Sequence, residues 1–328
     1  MVKGFEVTMK MVRLVLLLVL WLGVVLANPD IRAQTLKPLN IGLTGKTIST
    51  VFFEIGLQKG YYRQHGLDPK LIVVRQSDIL TKAVLGGELN AMTILPTAVV
   101  ASMRGLPIRT VAVTVDQAPY VFLGRPQVKT IGELKGKKLA LSSLGGMTYY
   151  VVRSVLLQNR LDPDRDITML AIGGTEARMG ALSAGFVDAT LVVAPLNLKL
   201  ERQGYTRLAW VPDYVRFPLT GIAVTPEYLQ SNRESVTALL KATSAAIAYV
   251  KQNKADSVGF IKKYLEFSEE DAVNGYEFLI KNTPDKLIAD DATMKQAMEF
   301  AGQSLNLKSG SGLDISKVRD WSVAQSIK

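Results

Sequence analysis

Six short segments rich in Gly, Ser and Thr follow predicted β-strands, and their residue types suit the binding of an anion. They are residues 44–47, 75–78 and 96–97 in the first half of the chain and 142–148, 173–176 and 195–197 in the second. Such segments expose backbone N–H groups at helix N-termini, where the helix dipole favours negative charge. One such segment is typical of an ordinary turn, whereas six in two matching sets favour a shared cleft. The candidate ligand-binding residues are Thr44, Gly45, Thr47, Arg75, Ser77, Pro96, Thr97, Ser143, Gly145, Gly146, Thr148, Gly174, Thr175 and Pro195.

The main anion-facing element is predicted at the start of the helix that follows the strand 138–141. Ser143, Gly145, Gly146 and Thr148 present it, because adjacent glycines let backbone approach a ligand and hydroxyls add hydrogen-bond donors. The segment 44–47 would close from the other side. It is similar to a phosphate-binding P-loop, but that motif needs a glycine at position 40, where asparagine stands.

Two arginines and two tyrosines near these segments each allow two interpretations. Arg75 and Arg178 could clamp an anion bidentately, or they could form salt bridges on helix surfaces. Tyr149 and Tyr150 could wall a ligand, or they could pack in a core.

Catalysis is disfavoured by the residues that the sequence lacks. His65 is the only histidine and follows a helix-like stretch, there is no cysteine, and no hydrolase or zinc-protease signature occurs. The acidic run 162–166 contains Pro163 and Arg165, which makes a solvated turn the better interpretation than a metal site. We therefore expect no enzymatic activity, no cofactor and no metal.

One sequence pattern occurs twice along the chain. Residues 83–91 and 181–189 both read A-[VL]-x-x-G-x-x-[ND]-A, and each is followed by an apolar run and then Pro96 or Pro195. Strands that alternate with helical patterns imply βαβ units. The predicted strands are 39–43, 71–74, 91–95, 110–115 and 120–123 for the first unit and 138–141, 167–172 and 189–193 for the second. We predict an α/β fold with two lobes, each a mainly parallel sheet flanked by helices.

The remainder of the chain is predicted to be helical and to complete the first lobe. From Pro226 onward apolar residues recur at helical spacing, and Ser268 and Asp314 are predicted N-caps. Two proline-flanked extended segments, 120–126 and 217–224, bracket the second unit, so the chain is predicted to cross between lobes there. The first lobe would comprise 36–124 and 219–328, and the second 125–218.

The N-terminus has the pattern of a secretory leader. Lys3, Lys10 and Arg13 precede an uncharged apolar run, and cleavage could follow Ala27 or Ala33, of which we favour Ala33. Removing residues 1–33 takes away four basic and two acidic residues, which lowers the net charge from +10 to +8. The basic residues are scattered among acidic ones, and with export this disfavours nucleic acid as a partner. Without a cysteine the chain cannot be lipidated at a lipobox, so we expect a soluble periplasmic monomer.

Four motifs in order resemble a known family. They are residues 56–68 (GLQKGYYRQHGLD), 86–91 (GGELNA), 131–138 (IGELKGKK) and 184–189 (AGFVDA). This pattern resembles the ABC-transporter solute-binding proteins for aliphatic sulfonates, nitrate and taurine, together with their thiamine-pyrimidine-precursor relatives. The resemblance covers essentially the whole mature chain.

The resemblance implies a type II periplasmic-binding-protein fold, with two lobes joined by two crossing segments and a small organic anion, sulfonate-like or related, bound between them. It implies an ABC permease with a separate ATPase subunit as partners. The pyrimidine-synthase relatives use a histidine and a cysteine-rich motif that this chain lacks. The alternative is a ligand-sensing or scavenging protein that engages a signalling partner instead of a permease.

Overall fold

The structure is a computed structural model that describes residues 35–215, 217–305, 307 and 314–327. The predicted leader, residues 1–33, and its two cleavage sites lie outside the described residues. Export therefore stays a prediction from the sequence.

Ten strands form two five-stranded sheets within the described part of the chain. The strands are Lys37–Leu43 (β1), Leu67–Val73 (β2), Ala91–Ile94 (β3), Arg109–Val115 (β4), Tyr120–Gly124 (β5), Lys138–Leu141 (β6), Thr168–Ala171 (β7), Ala189–Val193 (β8), Thr206–Trp210 (β9) and Thr220–Val224 (β10). The first sheet has the order β2-β1-β3-β10-β4, and the second has the order β7-β6-β8-β5-β9. All eight predicted strands are present, with ends shifted by up to four residues.

Helices connect and cover these strands. They are Val51–Gln58 (α1), Tyr61–Gln64 (α2), Ser77–Leu85 (α3), Leu95–Met103 (α4), Met147–Gln158 (α5), Thr175–Ser183 (α6), Leu196–Glu201 (α7), Pro226–Ser231 (α8), Arg233–Gln252 (α9), Lys254–Leu265 (α10), Glu269–Lys281 (α11) and Asp291–Ser304 (α12). Each sheet with its helices is one lobe of a two-lobed α/β fold, which confirms the predicted fold class.

The two lobes exchange one strand each. In both sheets four strands run in one direction, and the strand fourth in the order, β10 or β5, runs antiparallel to its two neighbours. The prediction that residues 120–124 belong to the first lobe is wrong for this strand, because β5 pairs with β8 and β9 of the second sheet. The return strand β10 pairs with β3 and β4 of the first sheet. The remaining lobe bounds stay a prediction.

The repeated sequence motif performs the same structural task in each lobe. Its fifth position, Gly87 or Gly185, has a positive φ of 81° or 73°, which favours glycine. Its eighth position accepts a hydrogen bond from the neighbouring strand: Asn90 Oδ1 accepts from the backbone N–H of Asn40 within β1 at 2.7 Å, and Asp188 Oδ2 accepts from that of Lys138 in β6 at 3.0 Å. The motif therefore sets the entry of β3 and β8 beside β1 and β6.

The C-terminal helices cover the first lobe. The buried residues of α9 recur at three- and four-residue spacing, as the apolar pattern predicted. Ser268 caps α11 by accepting from the backbone N–H of Asp271 at 3.1 Å. Asp314 precedes a single 3₁₀ turn, Ile315–Lys317, instead of a longer helix. None of the described helices combines the length and the apolar character that crossing a bilayer requires.

Candidate functional site

A cavity of about 40 Å³ lies where the carboxyl ends of the two sheets face each other. We call it the central cavity. The first lobe contributes residues after β1 and β2 and at the end of β3, and the second contributes residues after β6 and β7. Half of the lining residues are serine or threonine: Thr44, Thr47, Ser49, Thr50, Ser77, Thr93, Ser142, Thr148, Thr175 and Thr220. A lining with so many hydroxyls suits a polar ligand.

Arg178 is the only buried charge in the lining among the described residues, because Lys46, Arg75 and Glu176 are exposed. It lies in α6 and is 3% exposed. Its Nη1 donates to Gly173 O at 2.5 Å, and its Nη2 donates to Leu191 O at 3.2 Å and Thr175 Oγ1 at 3.3 Å. All three acceptors are neutral, and Nε has no hydrogen-bond partner among the described residues.

The electrostatics of Arg178 follow from this environment. Burial lowers the pKa of Arg178 to about 10, while the nearby Tyr120 and Glu176 act in the opposite direction. The guanidinium remains charged at neutral pH. A buried cation without a hydrogen-bonded anionic partner is costly, and an anion in the central cavity would offset that cost.

The backbone before α6 positions this group. Gly173 has a φ of 100°, which favours glycine, and its carbonyl oxygen accepts the hydrogen bond from Arg178. Gly174 is the N-cap residue of α6 and provides no side-chain cap. The first residues of α6, Thr175 and Glu176, line the central cavity together with Arg178. The N-terminus of a helix favours a nearby negative group.

Hydrogen bonds among the lining residues fix the positions of other hydroxyl groups. Thr148 Oγ1 accepts from the backbone N–H of Ser142 at 2.7 Å and lies 2.9 Å from Ser142 Oγ. On the opposite wall Thr50 Oγ1 accepts from the backbone N–H of Thr47 at 3.1 Å. These contacts orient the hydroxyls before a ligand binds, which lowers the entropic cost of binding.

The fourteen candidate residues do not all meet at the central cavity. The lining includes Thr44, Gly45, Thr47, Arg75, Ser77, Thr148, Gly174 and Thr175. Pro195 lines a larger neighbouring groove instead. Pro96, Thr97, Ser143, Gly145 and Gly146 line neither space. Gly146 lies where the lobes approach, since a Cβ there would be 2.3 Å from Ser143 Oγ and 3.4 Å from Ser77 Cβ.

Several lining residues were outside the candidate set. Thr220 lies at the start of an exchanged strand, so only the strand order brings it to the cavity. Arg178, one of the two arginines that could clamp an anion, follows the Gly-Gly-Thr segment by one helical turn. Its burial depends on the carbonyl of Leu191 in β8 and is a tertiary property.

Two polar contacts connect the lobes around the cavity. Arg202, which follows α7, forms a salt bridge with Asp271 of α11, with Nη2 and Oδ2 2.8 Å apart. Arg104, which follows α4, donates from Nη2 to the hydroxyl of Tyr150 in α5. Both contacts pair a first-lobe residue with a second-lobe residue, so they belong to a closed arrangement of the cleft.

The described residues contain no group of three or more His, Cys, Asp or Glu side chains placed to hold a metal ion. Carboxylates of the acidic run 162–166, which follows α5, already make hydrogen bonds with neighbouring residues. Asp162 Oδ1 accepts from the backbone N–H groups of Asp164 and Arg165 at 3.0 and 3.2 Å, and Asp164 pairs with Arg153. Arg153 lowers the pKa of Asp164 through this hydrogen bond. The run therefore has the contacts of a structured turn.

Comparison with solved structures agrees with the two-lobed architecture. The alkanesulfonate-binding protein SsuA from Xanthomonas axonopodis pv. citri, bound to MOPS, matches with a TM-score of 0.71 and 18% identity, over 86% of this chain and 98% of that chain. The periplasmic nitrate-binding protein NrtA from Synechocystis PCC 6803 matches with a TM-score of 0.67 and 14% identity, over 88% of both chains. At these identities the likeness shows the fold, which is that of periplasmic binding proteins.

Sequence comparison identifies the family. The riboflavin-binding protein RibY from Chloroflexus aurantiacus is 23% identical over 203 residues, 60% of this chain. The match spans 57% of that relative's own length, which is less than two thirds. The family model described as NMT1/THI5 like matches residues 49–257. These residues include all four motifs that carried the resemblance, and the resemblance to substrate-binding proteins is confirmed. The chain belongs to the NMT1/THI5-like family.

Proposed function

We propose that this protein is a periplasmic solute-binding protein of an ABC importer and that it captures a small organic anion in the central cavity. Its leader would be cleaved without lipidation, and the mature protein would act as a monomer. It would deliver the solute to a permease with a separate ATPase subunit. Family membership and the binding-protein fold support a solute-binding role without enzymatic activity.

The buried guanidinium of Arg178 is the observation that carries the proposal for an anion. Its hydrogen bonds go to neutral oxygens, and Arg75 and Lys46 add two further cations to the lining against the single carboxylate of Glu176. The cavity therefore has an excess of positive charge. Complementary charge is the property by which such a site would select its ligand.

Native mass spectrometry of protein purified from the periplasm tests the proposal directly. We expect a co-purifying small anion, and calorimetric titration with short sulfonates, short carboxylates and nitrate should find at least one that binds. Riboflavin provides a matched uncharged probe, because a relative is named for binding it. Binding of riboflavin with no binding of any anion would contradict the proposal.

A ligand-sensing or scavenging role is the alternative, and it shares the same binding site. A pull-down from membranes in the presence of the solute separates the two roles. Recovery of a permease and its ATPase supports import, whereas recovery of a signalling protein without them supports sensing.

The salt bridge between Arg202 and Asp271 is predicted to hold the closed cleft. Asp271→Asn should raise the dissociation rate of the bound anion and weaken its affinity by about threefold, because an ion pair with an exposed arginine contributes only modestly. Stopped-flow and calorimetric measurements on the variant test this expectation.

Glu269→Gln is the matched control for that variant. Glu269 lies in the first turn of the same helix, and it pairs with Lys262 of α10, in the same lobe, at 2.8 Å. Glu269→Gln should leave the dissociation rate of the bound anion close to that of the wild type. An equal effect of both substitutions would mean that the helix N-terminus, and not the contact between lobes, is responsible.

A further inference from the structure

A basic surface with one exposed aromatic ring lies at the amino ends of β6 and β8, at the edge of the second sheet opposite the central cavity. The fourteen residues 125–138, which lead into β6, contain five basic residues and one acidic residue. The turn 185–188, which leads into β8, adds a phenyl ring that is 58% exposed. We call this surface the basic corner, and it comprises Arg125, Lys129, Lys135, Lys137, Lys138 and Phe186.

Contacts between the two segments bring the ring and the cations together. Lys138 Nζ lies 6.0 Å from the centroid of the Phe186 ring. The backbone N–H of Arg125 donates to Asp188 O at 2.9 Å, and a Cβ at Gly185 would lie 3.5 Å from the Arg125 guanidinium. The exposed ring therefore lies beside two cations.

The carboxylates near the basic corner do little to neutralise it. Among the described residues only two of the five cations have a carboxylate partner, Arg125 with Asp188 at 4.0 Å and Lys135 with Asp166 at 3.5 Å. The side chains of Asp188 and Asp166 are only 19% and 7% exposed. The third carboxylate, Glu133, accepts a hydrogen bond from a backbone N–H four residues earlier at 2.9 Å. The outer face consequently has an excess of positive charge.

The repeated motif allows a comparison with the same position in the first lobe. Asn40 in β1 corresponds to Lys138 in β6, since each donates its backbone N–H to the eighth residue of the motif. Glu88 corresponds to Phe186, because both are the sixth residue of the motif. The first lobe thus has an amide and a carboxylate where the second has an ammonium group and an exposed ring. The fold does not require the basic corner, because the first lobe makes the same contacts without one.

We propose that the basic corner binds the surface of a phospholipid bilayer that contains anionic lipids. Lysine and arginine side chains near such a surface are attracted by its negative potential, and an exposed phenyl ring favours the boundary between head groups and hydrocarbon. The basic corner lies opposite the central cavity, so the protein can bind its solute and the bilayer at the same time. This goes beyond solute binding and holds whichever solute the central cavity takes, and it requires only that the protein faces a membrane.

Flotation with lipid vesicles tests the proposal. The wild type should float with vesicles of equal parts phosphatidylglycerol and phosphatidylcholine and should not float with phosphatidylcholine alone. Salt at about 1 M, where the Debye length is about 3 Å, should release it.

Lys137→Gln combined with Lys138→Gln should reduce the partition coefficient by about 25-fold, because each basic residue near an anionic surface contributes about fivefold. The fold should be retained, since β6 uses the backbone N–H of Lys138 and not its side chain. Lys262→Gln combined with Lys263→Gln is the matched control, because these adjacent exposed lysines lie in α10 and give the same change in net charge. The control should change the partition coefficient by less than about twofold.

Phe186→Ser separates the ring from the charges. It should reduce the partition coefficient by about tenfold, because the ring no longer enters the bilayer, and it should leave the salt dependence as in the wild type. Thermal melts of each variant establish that it is folded.

The proposal is overturned if the wild type does not bind phosphatidylglycerol vesicles, if Phe186→Ser partitions like the wild type, or if both double variants lose binding equally. Retention of the wild type on polyglutamate beads without binding to vesicles also overturns it and indicates an acidic protein as the partner. Each of these results leaves the proposed function intact, because the vesicle measurements do not involve the central cavity.

Discussion

Arg178→Met is expected to weaken binding of the solute anion by about 100-fold, because the variant leaves the anion in the central cavity without its buried cation. The melting temperature without ligand should change little. Loss of the hydrogen bonds to Gly173 and Leu191 is destabilising, but removal of a buried charge is stabilising, and the two effects oppose each other. Calorimetric titration and thermal melts of both proteins measure the two quantities.

The pH dependence provides a second measurement of the same role. The pKa of Arg178 in the ligand-free protein is about 10, below its ordinary value, because burial disfavours the charged form. A bound anion favours the charged form and raises this pKa. The affinity ratio of wild type to Arg178→Met should therefore be constant near neutral pH and fall as the pH rises through about 10. In the same alkaline range the folded state binds fewer protons than the unfolded state, so this group makes the free energy of unfolding rise with pH.

Arg63→Met is the control for the arginine substitution. Arg63 is 70% exposed, pairs with Asp68 in the first lobe, and lies outside the central cavity. Arg63→Met should leave the affinity for the solute anion unchanged. A normally folded Arg178→Met protein with wild-type affinity would show that Arg178 serves only the packing of α6.

Gly174→Asp is expected to weaken anion binding by about 30-fold while preserving the fold. Gly174 has φ −60° and ψ 167°, which any residue adopts, and it is the N-cap of α6, where aspartate is favourable. A Cβ there would lie 3.5 Å from Glu176 Oε2 and 3.7 Å from Arg75 Cδ, which are ordinary contacts. The new carboxylate would repel the anion and draw Arg75 away from it.

Gly174→Asn separates charge from shape. Asparagine is nearly isosteric with aspartate and is also a good N-cap, so it should cost only a few-fold in affinity. Titration of both variants with the same anion gives the comparison. Equal losses for Asp and Asn would indicate steric exclusion, and wild-type affinity in both would remove the start of α6 from the site.

The repeated motif was sufficient to predict the two-lobed α/β fold, because its role is local. Gly87 and Gly185 are needed for a positive φ, and Asn90 and Asp188 each accept a backbone hydrogen bond from the adjacent strand. Such local requirements can be recognised in the sequence from residue types and their spacing. The rule that loops at the carboxyl ends of parallel strands converge likewise indicated segments that meet at the central cavity.

The tertiary structure decided which of those residues face the cavity. Gly145 and Gly146 have the composition of an anion-binding loop, yet Gly146 lies at the approach of the lobes. Exchange of β5 and β10 between the sheets brings Tyr120 and Thr220 into the lining, and pairing across a long sequence separation leaves no local pattern.

The central role of Arg178 is also a product of tertiary structure. Its sequence neighbours are compatible with an exposed helix arginine. It is buried because α6 packs against β8, where the Leu191 carbonyl accepts a hydrogen bond from its Nη2, and because the first lobe covers the cavity. The sequence by itself therefore determined the family, the fold and the loops that meet. The charge at the centre of the site and the groove beside it depend on the packing of helices and on the contact between lobes, which no local pattern of residues encodes.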